Sequence, residues 1–202
     1  MNLLTTFPIL TYLYWFLLVL VTTGSLVFAV LAFRSQKRLF TIISAGALAA
    51  ALFIAAAPVP DAPAAFPMLL GLLGIALAIV GGSPVAVLAL HYANGDSPAP
   101  GAHGGILVRD RQTGAQGEAL MAQPVHEVLR GGLVIGVLER LATIGSILAG
   151  FPEALAVVVA VKGVGRFSEL SAPESRERFI IGSFASLIWA CACAILVRAA
   201  AS

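Results

Sequence analysis

The chain has 202 residues, of which 59% are apolar and only 11% charged, and its net charge is +2. Soluble domains carry about 25% charged residues, so the composition excludes an ordinary globular protein and indicates one whose solvent is a lipid bilayer. A balance so near neutral gives no electrostatic footprint for nucleic acid; Lys and Arg gather in three stretches between apolar runs and thereby mark orientation.

The N-terminal MNLLTTFPIL lacks a positively charged leader region. The apolar run after it, from Ile9 to Phe33, is longer than a signal-peptide core of about 7–15 residues, which predicts a retained membrane helix. Pro8 suits its first turn, and Tyr12, Tyr14 and Trp15 read as an interfacial aromatic belt. Arg34, Lys37 and Arg38 follow directly and should stay cytoplasmic, placing the N-terminus outside.

A second segment, Leu39 to Ala57, is built from Ala, Ile and Leu and stops at a Pro-rich linker, Pro58 to Pro63, without Lys or Arg, as suits an outer turn. The third, Phe66 to Tyr92, contains Gly81-Gly82-Ser83-Pro84. Loss of a backbone donor there predicts an interruption or kink, a feature that either frames a transport site or is absorbed by neighbouring helices.

Residues 93–131 are read as a polar cytoplasmic block with an interfacial end. Within it, ILVRDRQTG has the makings of a marginal hairpin, and Pro124 to Arg130 is expected to form an interfacial turn or two. A fourth segment then spans Gly132 to Ala149. Gly150-Phe151-Pro152-Glu153 breaks the chain and starts a fifth, Pro152 to Phe167, whose length of about 24 Å is short for a hydrocarbon core of about 30 Å. Ser171-Ala-Pro173-Glu174 has capping-box spacing and opens a sixth, ending near Arg198. Its Gly182, Ser186, Ala190 and Ala194 recur every four residues, a small-residue stripe that permits close approach of another helix.

Ten of the twelve Lys and Arg residues fall on or beside the three turns assigned to the cytoplasm. The result is an all-α integral membrane bundle of about six segments with both termini outside, organised as three helices (1–92), the polar block (93–131) and three helices (132–202).

Glu139, Arg140, Lys162 and Arg166 lie within or at the lip of these segments, where a charge costs at least a few kcal/mol unless it meets a partner or a wet cavity. Counting along antiparallel fourth and fifth helices pairs Glu139 with Lys162, and Arg140 with Glu169. Gly132 and Gly136 share a helical stripe with Arg140 and would let the fifth helix approach. Two readings follow: a charge network that fixes helix register, or a proton or cation site at Glu139 tuned by Lys162. Arg176 and Arg178, with Lys162 and Arg166, could instead contact lipid headgroups or a partner.

His91, His103 and His126 have no metal-ligand spacing, and no nucleophile, zinc or phosphate-loop motif occurs. Cys191 and Cys193 would point roughly 200° apart on a helix, unsuited to a shared metal or disulfide. Trp189, mid-helix, is expected to serve packing.

Leu129-Arg-Gly-Gly-Leu-Val-Ile-Gly136-Val-Leu-Glu139-Arg140, Ala160-Val-Lys162-Gly-Val-Gly-Arg166-Phe-Ser-Glu169, and Ile181-Gly182 resemble a recurring pattern, Ile-Gly-x-Leu-Glu-Arg, Ala-x-Lys with Arg-Phe, then Ile-Gly. The pattern is similar to the C-terminal membrane region of a family of uncharacterised bacterial multi-pass proteins, and covers residues 129 to 190. The resemblance implies a bacterial inner (cell) membrane location and strengthens the charged site, without implying an activity. The expectation is therefore a non-enzymatic scaffold or subunit, without cofactor or metal, whose partners are the bilayer and a second copy or another membrane protein. The alternative is a small proton, cation or solute transporter or channel that uses Glu139.

Overall fold

Backbone groups in hydrocarbon must be satisfied within the chain, which for apolar runs of this length means α-helix. The computed structural model describes residues 8–57, 65–94, 106–108, 126–128, 132–165 and 173–201. They contain six helices: α1 (Pro8–Ser35), α2 (Arg38–Ala55), α3 (Ala65–Asn94), α4 (Gly132–Leu148), α5 (Ala154–Gly165) and α6 (Pro173–Ala201). Spans within α1, α2, α3 and α6 are long and apolar enough to cross a membrane. The protein is a membrane-type helical bundle.

Helices α1 and α2 form a tight antiparallel hairpin whose turn rests on Gln36, held at φ 57° with its N–H donating to the Ala32 carbonyl at 2.9 Å. Midway along it, Ser25 and Ser44 exchange hydrogen bonds, each hydroxyl donating to the other's carbonyl at 2.8 Å. Near the open end the Tyr14 hydroxyl donates to the Ile54 carbonyl at 2.9 Å. Both residues of the serine pair are buried, so two polar side chains are satisfied inside the apolar seam.

Helices α3 and α6 are the antiparallel centre, with Leu70, Leu77 and Ala78 buried with Ala190, Cys193, Ala194 and Leu196. The small-residue stripe of α6 is what admits α3: Ser186, Ala190 and Ala194 are buried, and a Cβ at Gly182 would meet Leu90 at 3.6 Å. Both cysteines are free thiols, Cys193 in this seam and Cys191 half-buried. Trp15 is not part of an exposed belt. It is buried against Phe66 of α3, with ring centroids 6.1 Å apart, because α1 and α3 start at the same end of the bundle; Tyr12 alone of the three aromatics is largely exposed.

Two expectations for the middle of the chain are corrected. Helix α3 runs without interruption through Gly81-Gly82-Ser83-Pro84, with Pro84 inside it; neighbouring helices hold the proline in place. Ile106–Val108 is indeed a strand, β1, but its antiparallel partner is β2, His126–Val128, with Leu107 opposite Glu127. The hairpin thus closes across a longer insertion than ILVRDRQTG, and 126–128 is strand rather than interfacial helix. The rest of the 93–131 block, the 58–63 linker and residues 171–172 of the capping box lie outside the described residues.

Helices α4 and α5 form a second hairpin, and α4 runs parallel to α6, since Arg140 meets Ser186 while Ile147 meets Arg198. The α4 C-terminus closes in a Schellman arrangement: Gly150 takes φ +83° and the Phe151 N–H donates to the Ser146 carbonyl at 2.8 Å. Helix α5 is described over 12 residues, about 18 Å, and begins at Ala154 rather than Pro152; Arg166 and Phe167 of the predicted fifth segment lie outside the described residues. None of its residues is buried.

Candidate functional site

Glu139 and Arg140 are consecutive on α4, so their side chains leave the helix about 100° apart and reach different neighbours. Glu139 faces α5, where its Oε2 forms an ion pair with the Lys162 ammonium, the pairing that antiparallel counting predicts. The pair is only slightly accessible, with side chains 11% and 15% exposed. Lys162 also lies 5.6 Å from the ring centroid of Phe179 on α6, so one ammonium links α4, α5 and α6. Glu139 Oε1 is buried and has no hydrogen-bond partner.

Arg140 turns the other way, into the three-helix junction of α3, α4 and α6, and is 3% exposed. Its Nη1 donates to the Ser186 hydroxyl at 3.1 Å, while its Nε has no partner. Two glycines create the space. A Cβ on Gly82 of α3 would collide with Arg140 Cδ and lie 2.9 Å from Nε, and one on Gly136 would lie 3.1 Å from Nη1. Gly136 therefore serves Arg140 itself rather than the approach of α5. Long side chains on a helix turn back toward its N-terminus, so a residue covers the position four before it.

Gly81, beside Gly82, is matched in the same way to Trp189, since a Cβ there would stand 2.5 Å from the indole ring. The Trp189 Nε1–H donates to the Leu77 carbonyl at 2.9 Å, one turn before Gly81, confirming the packing role expected of this tryptophan. The Gly-Gly pair thus notches α3 for an indole and a guanidinium. Sequence reasoning missed Gly82 and Ser186 as partners of Arg140. The available signal was two adjacent glycines in an otherwise bulky apolar helix facing a small-residue stripe.

Of the remaining predicted residues, Arg176 lines an open cleft of about 270 Å³ with Glu177, Ile180 and Ile181, and Arg178 has a buried Nε without a partner. Arg166 and Glu169 lie outside the described residues, so the predicted Arg140–Glu169 pair does too. No group of His, Cys, Asp or Glu among the described residues is arranged to hold a metal ion. Comparison with protein-family models, with curated proteins and with solved structures finds no match to this chain.

Proposed function

We propose that this multi-pass membrane protein is a non-catalytic subunit or scaffold of a larger assembly in the bacterial inner membrane, with both termini outside. The observation that carries this reading is how the membrane charges are used: Lys162 neutralises Glu139 between α4 and α5, and Arg140 is enclosed at a helix junction. Charges spent on neighbouring helices fix their register. Helix α5 adds support, because Val157, Val161 and Val164 are 62–79% exposed and no described helix covers them. The resemblance to bacterial multi-pass proteins over residues 129–190 favours the same setting.

The test is extraction in a mild detergent followed by native mass measurement. A second copy or a stoichiometric membrane partner is expected; a monomer alone under several detergents would sink the reading. The buried Glu139 Oε1, which has no hydrogen-bond partner, favours a second reading, in which Glu139 exchanges a proton or cation. Proton or cation flux in proteoliposomes, abolished by Glu139→Gln, would move the conclusion there.

A further inference from the structure

The cleft on α6 carries one charge of each sign. Its volume is about 270 Å³, many times a water molecule's share of about 30 Å³, and its described walls are Arg176, Glu177, Ile180 and Ile181. Arg176 and Glu177 are the first two residues of the apolar span within α6, Arg176–Ala201, and so stand at the level of the lipid headgroups. Residues four apart on a helix share a face, which places Ile180 one turn deeper than Arg176 and Ile181 one turn deeper than Glu177. The Ile180 column continues inward through Phe184 and Ile188, all three 47–65% exposed. It runs for about 12 Å, most of the depth of one leaflet's acyl chains in a core of about 30 Å.

We propose that this cleft binds one molecule of phosphatidylethanolamine, with the phosphate on Arg176, the ammonium on Glu177 and an acyl chain along Ile180, Phe184 and Ile188. The two charges select the headgroup, because a zwitterion satisfies both walls at once. Phosphatidylglycerol would satisfy Arg176 but bring a negative charge beside the Glu177 carboxylate with no cation to offset it. Phosphatidylcholine has the cation, but its three methyl groups remove the N–H donors that a carboxylate accepts. A soluble phosphate ester would leave the apolar column uncovered, and the column is what commits the site to a lipid. Lipid binding here is independent of whether the protein assembles with partners.

The experiment is native mass spectrometry of the full chain in a mild detergent, given equal amounts of phosphatidylethanolamine, phosphatidylglycerol and phosphatidylcholine with identical acyl chains. Wild type should retain one phosphatidylethanolamine about fivefold more than either competitor, and that lipid should raise Tm as a ligand of the folded state does. Glu177→Gln should erase the preference over phosphatidylglycerol, whereas Arg176→Gln should weaken retention of both. Both side chains are exposed, and lipid-free Tm checks the folding of each variant; if one does not fold, the wild-type competition and the other variant decide. Equal retention of the three lipids, a preference for phosphatidylglycerol or phosphatidylcholine, or a phosphatidylethanolamine preference that survives both substitutions would overturn the proposal. So would a Tm gain of equal size from glycerophosphoethanolamine, which would assign the cleft to a soluble phosphate ester.

Discussion

Glu139 meets its base across a helix gap, whereas Arg140, one residue later, is surrounded by glycines and a serine. Neutralising one member of a buried pair strands the other, a loss of about 3–5 kcal/mol in proteins generally, while removing both is much cheaper. Glu139→Gln and Lys162→Met should therefore each lower stability strongly, and the double variant should recover much of the loss in a double-mutant cycle. Single variants as stable as wild type would instead show that the charges are retained at some cost to folding, which favours ion or proton binding at Glu139. The Glu139–Lys162 pair was legible in the sequence because both residues lie on consecutive antiparallel helices joined by a short break, where counting residues gives depth. Arg140 was not, since its partners come from helices distant in sequence and a glycine offers no side chain to announce a contact.

At the scale of the helix, the closest seam is between α3 and α6, and its fit depends on absent side chains. Gly81 is the sharpest case, because the Trp189 indole occupies the volume a Cβ would need and is anchored by its bond to the Leu77 carbonyl. Gly81→Ala should cost about 1–3 kcal/mol by overpacking, with a shift in tryptophan emission as the ring is displaced. Trp189→Phe in the same background should restore part of the stability, since a smaller ring can yield. An unchanged Tm and emission spectrum for Gly81→Ala would falsify this account of the notch. The four long helices were legible from apolar length alone. The Gly-Gly-Ser-Pro stretch misled, because local propensity registers a lost donor at Pro84 and is blind to the packing that keeps α3 continuous. The start of α5 was set two residues early, at Pro152, where the chain is still turning and the helix begins at Ala154.

At the scale of the molecule, the described residues form four long helices, a shorter helical hairpin and the β1–β2 pair, with α1 and α2 joined by a two-residue turn and α3 and α6 forming the centre. The α1–α2 hairpin has its own polar lock in Ser25 and Ser44, and the α4–α5 hairpin has its own in Glu139 and Lys162. Because α5 doubles back on α4, the pair has even parity: it returns the chain to the face from which it left, however deeply it dips. Excision of residues 132–165 would leave α6 in its native direction against α3. Reporter fusions after Ser202 should accordingly give the same sidedness for the full chain and the hairpin deletion, and opposite sidedness for the two would overturn this account. The hairpin is then a cassette that can be gained or lost without rewriting the topology of what surrounds it.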